Sequence, residues 1–96
     1  MPPLPLKLIL AGRDDHDPAL QALASALRDG GMEVVYLGKA PAATVLADVA
    51  LQEDARGIVL VGVERVDIPD VPVASIDPDS EDGGAEALRQ LLENLS

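Results

Sequence analysis

The only histidine of the chain, His16, sits in the run Arg13-Asp14-Asp15-His16-Asp17-Pro18, with three carboxylates within two residues of it. An imidazole among carboxylates suggests a metal site. A metal-bound His usually donates its second ring N–H to a carboxylate, which fixes the tautomer and raises the ligand's basicity. Asp14 has the spacing for that part in a tight loop. Asp14, Asp15 and Asp17 could instead gather a divalent cation. A plainer reading stands beside both: Asp17 caps a following helix and the other acids form a solvated turn. Spacing alone leaves these readings open.

No other motif competes. The chain has no Gly-x-Gly-x-x-Gly after its first apolar run and no Gly-Lys-Ser/Thr phosphate loop. Ser25, Ser75, Ser80 and Ser96 carry no nucleophile signature, and the lack of cysteine excludes disulfides, thiolate metal sites and Cys nucleophiles.

The elements that must position His16 follow from periodicity. Leu6–Ala11 is a short apolar run, as expected of a strand buried on both faces. Leu20, Leu23, Ala24 and Leu27 then form one helical stripe, with Asp17 as N-cap, Pro18 in the first helical position and Gly30-Gly31 as the stop. Met32–Gly38 reads as the second strand. Pro41–Ala55 reads as the second helix, with Val45, Leu46, Val49 and Ala50 inward, and Gly57–Val63 as the third strand. This β-α-β-α-β order predicts a parallel sheet with right-handed crossovers.

The pattern then breaks. Only the seven residues of "ERVDIPD" separate the third strand from a fourth at Val71–Ile76. A parallel crossover usually takes a dozen or more residues. The fourth strand is therefore expected to run antiparallel beside the third or to form an extended edge, which Pro69 and Pro72 suit. An acidic loop and a last helix, Ala85–Leu95 with Leu88, Leu91, Leu92 and Leu95 on one face, complete the chain. The expected fold is α/β: one small flavodoxin-like (Rossmann-like) three-layer sandwich over residues 1–96, with about four strands in the order 2-1-3-4 and three helices.

Hydrophobic residues make up 48% of the chain, which supports a folded core, and the lack of Phe and Trp makes that core aliphatic. A net charge of −10 disfavours nucleic acid and anionic membranes as partners. The Pro-rich start is too short for a signal peptide and no apolar run reaches transmembrane length, so a cytoplasmic location is expected. Ligands of open α/β sheets bind at the carboxyl ends of the strands. The loop after the first strand, Gly38 after the second and Gly62 after the third all fall at that edge.

Taken together, "GRDDHDPALQALASALRDGGMEVVYLG" closely resembles the cobalamin-binding domain of the methylmalonyl-CoA mutase family. That family carries Asp-x-His-x-x-Gly here, then a helix ending "ALRDxG" and a strand of the "EVxYxG" kind. "APAATVLADVALQEDARGIVLVG" matches its next helix and strand, and the likeness runs from about Leu6 to Val63. The resemblance implies cobalamin (B12) as cofactor, held His-on. His16 replaces the dimethylbenzimidazole base as lower ligand of cobalt, Asp14 hydrogen-bonds it, and the displaced base and its nucleotide tail enter a slot beside the sheet. Asp14, Asp15, His16, Ala19, Gly38 and Gly62 are the implied cofactor-binding residues. The partner would be a mutase catalytic subunit, because 96 residues cannot supply a substrate barrel; no catalysis is expected of the chain alone.

The chain departs from the family's pattern at three places. Ala19 replaces the last Gly of the motif, and Gly62-Val63-Glu64 replaces a Ser-x-Leu that lines the tail slot. "ERVDIPD" replaces much of the next helix and strand, and Gly83-Gly84 stands just before the last helix. A shortened tail slot is therefore expected. The alternative is a degenerate relative without cofactor, serving as an interaction or regulatory domain. A receiver-like domain is excluded as a phosphoacceptor, since Gly62 or Val63 stands where its Asp belongs. The free edge at Val71–Ile76 predicts pairing with a second copy or another subunit.

Overall fold

The computed structural model describes residues 6–80 and 82–95. Met1–Pro5, Glu81 of the acidic loop and Ser96 lie outside them, as do the side chains of Leu92 and Leu95 in the expected last-helix stripe. The order is β1 (Lys7–Gly12), α1 (Pro18–Asp29), β2 (Glu33–Lys39), α2 (Ala43–Glu53), β3 (Gly57–Val61), β4 (Val73–Ile76) and α3 (Gly83–Leu95). The strands form one sheet in the order β2-β1-β3-β4, and every pairing is parallel. This is the flavodoxin-like α/β arrangement.

Strand alternation builds the three layers. Leu8, Leu10, Val59 and Val61 face α1 and α3, packing with Leu20, Leu23, Leu27, Ala87 and Leu91. Ile9, Ala11, Ile58 and Leu60 face the other way, onto Leu46 and Ala50 of α2 and Ile68 of the segment after β3. α1 begins where expected: Asp17 accepts from the Ala19 N–H and Pro18 fills the first turn. It ends at Gly30, with Gly31 at φ 90°.

Four expectations need correction. β4 lies at the edge of the sheet as expected, but it is not antiparallel; it runs parallel to β3, from Ile58↔Val73 to Val61↔Ile76. The return needs no helix. An extended chain covers about 3.3 Å per residue, so the segment from Gly62 to Pro72 readily re-crosses a strand of five residues. It does so packed on the α2 face through Val63, Val66 and Ile68. Second, β3 stops at Val61, because Gly62 turns the chain at φ 72°. Third, Val71 lies before β4, in a tight turn where its N–H donates to the Ile68 C=O. Fourth, Val45 is 45% exposed: the inward stripe of α2 consists of Leu46, Val49 and Ala50, and the returning segment covers part of the same sheet face.

The outer edge of β4 is occupied at its centre. The Ser75 N–H donates to Gln90 Oε1 at 2.8 Å, and Gln90 Nε2 donates back to the Ser75 C=O at 3.0 Å. A side-chain amide from α3 thus stands where a further strand would bond, so the edge that the sequence marks for pairing is closed there. Replacing Gln90 with Leu removes both bonds. The expected result is a loss of about 1–2 kcal/mol in urea unfolding and concentration-dependent association by light scattering. Unchanged stability and mass would show that the amide does not guard the edge.

Candidate functional site

The carboxyl ends of β1, β2 and β3 meet the loop Arg13–Asp17. Gly12 ends β1 in a buried place where a Cβ would stand 3.2 Å from both Leu20 Cδ2 and the Val61 carbonyl oxygen. The loop that follows is tied down residue by residue. Asp14 Oδ1 accepts from the backbone N–H of His16 at 2.8 Å, forming a tight Asx-type turn. Asp15 Oδ1 accepts from the Lys39 N–H at 2.9 Å, and Tyr36 Oη donates to the Asp15 C=O at 3.1 Å. Gly38 makes this approach possible: at φ 79° its own Cβ would fall 2.5 Å from Asp15 Oδ1.

Asp17 is the one buried charged residue among those described, 2% exposed. Its carboxylate accepts from Arg13 Nε at 2.8 Å and Nη2 at 3.2 Å, and from the Ala19 N–H at 3.0 Å. The Arg13 hydrogen bond holds the Asp17 carboxyl below the usual range. Burial opposes that shift and the Ala19 N–H adds to it. The guanidinium is correspondingly held above its usual value, first by the Asp17 hydrogen bond. The stem of Arg13 lies over Gly62, where a Cβ would stand 2.9 Å from Arg13 Cδ and Nε. The i, i+4 spacing of Arg13 and Asp17 was the only signal of this pair in the sequence.

His16 itself is exposed. Among the described residues no hydrogen bond joins the Asp14 carboxylate to the His16 ring; Asp14 acts on the backbone of His16. The divalent-cation reading is corrected by the same geometry. Asp14, Asp15 and Asp17 serve three different partners, and among the described residues no group of three His, Asp or Glu side chains is placed to hold a metal ion.

Beside this loop, between α1 and α3, lies a cavity of about 160 Å³. Ala19, Ala22 and Ala26 form one wall, Gly83 and Gly84 the other, and Val61 lies at its base. Asp77, Ser80 and Asp82 stand around it. The space exists because these residues are small. A Cβ on Gly83 would meet Ile76 Cγ2 at 3.3 Å, and one on Gly84 would come 3.7 Å from the Ala26 Cβ. Ala19 lines the cavity, whereas Gly38 and Gly62 serve the loop. Val63 packs on the α2 side, Glu64 is exposed, and neither lines the cavity. Sequence reasoning missed Ala22 and Ala26, although Ala19, Ala22 and Ala26 recur at helical spacing.

The geometry defines a flavodoxin-like domain with a loop-and-cavity site at the carboxyl edge of its sheet. No protein-family model matches the chain. Over 52 residues it is 40% identical to the 2-hydroxyisobutanoyl-CoA mutase small subunit of Aquincola tertiaricarbonis, a match covering 52% of this chain and 38% of that protein's length. Among the described residues, no helix is long and apolar enough to cross a membrane.

The Asp17 shift sets a pH dependence. A carboxyl whose folded pKa is depressed contributes stability that is present above its unfolded value, about 3.9, and lost as pH falls through the folded value. Wild-type stability is therefore expected to decline below about pH 4. Asp17→Asn should flatten that acid limb while lowering stability at pH 7, as read by urea unfolding across pH. Glu86, lowered by its Arg89 hydrogen bond, leaves a residual slope of the same sign. An identical acid limb in the variant would show that the Arg13–Asp17 pair contributes nothing.

Proposed function

We propose that the chain is a cobalamin-binding module in which His16 is the lower ligand of cobalt and the α1–α3 cavity receives the displaced base. The observation that carries this reading is the cavity beside the His16 loop, walled by Ala19 and the Gly83-Gly84 pair. A cavity of about 150 Å³ accepts a benzene ring, so 160 Å³ suits an aromatic ring and is small for a whole nucleotide tail. The partial identity to a mutase small subunit supports the same reading. An exposed His16 suits a ligand as broad as a corrin, which cannot enter a closed pocket.

Each tethered residue then has a part. Asp14 fixes the backbone at His16, Asp15 ties the loop to β2 through Lys39 and Tyr36, and Gly38 admits that contact. Gly62 makes room for Arg13, and Ala19 shapes the cavity. Bound cobalamin would supply a cobalt centre for radical or carrier chemistry. The chain would hold and present it to a mutase-type catalytic subunit in the cytoplasm.

The test is gel filtration of the protein with hydroxocobalamin or adenosylcobalamin, followed by visible spectra, for wild type and His16→Ala. Colour should travel with the wild type, and the bands that report axial ligation should change in the variant. If all colour elutes free of the wild type, the cofactor reading fails and an interaction domain without cofactor takes its place. Gly84→Ala separates binding from folding. The added methyl makes only ordinary contacts, so the variant should fold as stably as wild type while narrowing the cavity and weakening cobalamin binding. A folded variant that binds as tightly as wild type would place the base elsewhere.

A further inference from the structure

A groove of about 460 Å³ lies between α2 and the turn that precedes β4. Residues 54–56 lead from α2 into β3 and residues 68–72 lead into β4, so the groove sits at the amino ends of the strands. The His16 loop is at the other end. Ala50 and Ile68 of the core line the groove. So does Leu51, which is 83% exposed, more than any other large hydrophobic residue described. A leucine left in water beside an apolar recess loses hydrophobic free energy that a partner surface would recover.

The charges of the groove select the partner. It carries one cation, Arg56, and two carboxylates, Asp54 and Asp70. All three are exposed, and none is in an ion pair among the described residues. Asp54 and Asp70 are also the two non-glycine residues at positive φ, 53° and 66°. At Asp70, which follows Pro69 in the turn closed by the Val71 N–H, glycine is the easy residue. A basic partner would set its charge against Arg56, and an acidic one against both carboxylates. A second copy related by a two-fold axis avoids both conflicts, because each Arg56 then faces a carboxylate and each Leu51 faces a recess. At a net charge of −10 two copies repel in general, which favours contact where an unpaired cation stands. We propose that this groove is a two-fold interface between copies of the chain, with Leu51 seated in the partner's groove and Arg56 paired with the partner's Asp70. The β4 edge is closed by Gln90, and the second copy docks here instead. The inference is independent of the cofactor reading, since the His16 loop lies at the opposite end of the sheet.

The experiment is sedimentation velocity of the full chain from low-micromolar to near-millimolar concentration. A patch confined to one groove is smaller than the standard interface of about 1,600 Å², so wild type should show a monomer–dimer equilibrium of modest affinity. Leu51→Asp changes an exposed position and should leave the fold intact while weakening the dimer about tenfold or more. Arg56→Glu and Asp70→Lys each set like charges face to face at both ends of the interface, and each alone should weaken it about tenfold. Mixed in equal amounts they should associate again: one end then keeps the native pair and the other carries it with signs reversed. Thermal unfolding checks that every variant is folded. If Asp70→Lys fails at its positive φ, Asp70→Asn suits that backbone and should weaken the dimer roughly threefold. Wild type that stays monomeric throughout would overturn the proposal. So would a dimer that survives Leu51→Asp, or folded charge variants that do not associate on mixing.

Discussion

The ion pair between Arg13 and the buried carboxylate of Asp17 joins the parts on which the site depends. Asp17 caps α1, so the pair fixes where that helix starts. Arg13 lies across Gly62, so the same pair fixes the loop against the end of β3. Between the two partners run Asp14, Asp15 and His16, a span short enough that anchoring both ends leaves little freedom within it. A buried carboxylate is costly unless it is bonded, and here the guanidinium and the Ala19 N–H supply those bonds. The local turn, the helix and the sheet edge are thus held by one charged contact.

The second constraint is the size of side chains. Tight approach at Gly12, Gly38 and Gly62 brings the loop onto the sheet, and small residues on α1 and α3 leave a cavity beside it. α3 reaches this position partly through Gln90, whose amide bonds both backbone groups of Ser75 on the edge of β4. The last helix therefore does two things: its first turn walls the cavity and its middle closes the sheet. This is how a four-stranded sheet can keep a site that needs helices α1 and α3 on one face.

Much of the fold was legible in the sequence because it rests on local rules. The alternation of Leu8/Leu10 with Ile9/Ala11, the stripe Leu20–Leu27 and the Asp17-Pro18 start each declare themselves within a few residues. What was hidden depends on distant partners. Val73–Ile76 shows nothing of its direction, because a helix-free return along the α2 face leaves no periodicity to read. Gly83 and Gly84 look like a loop ending until α1 is placed opposite them. Asp14 near His16 suggests a ring hydrogen bond, yet the shorter reach is to the His16 backbone N–H. The Arg13–Asp17 spacing was visible, but its consequence requires Gly62 to lie beneath it.

If His16 is the lower ligand of cobalt, as proposed, the chain offers a direct test, because His16 is its only histidine. Protein grown with ¹⁵N-histidine and with ordinary histidine would each be loaded with cobalamin, reduced to the cobalt(II) form, and examined by electron paramagnetic resonance. A His16-ligated cobalt predicts a nitrogen superhyperfine triplet with ordinary histidine that becomes a doublet with the label. A triplet that survives labelling would show the ligand to be the cofactor's own base, and would contradict the claim.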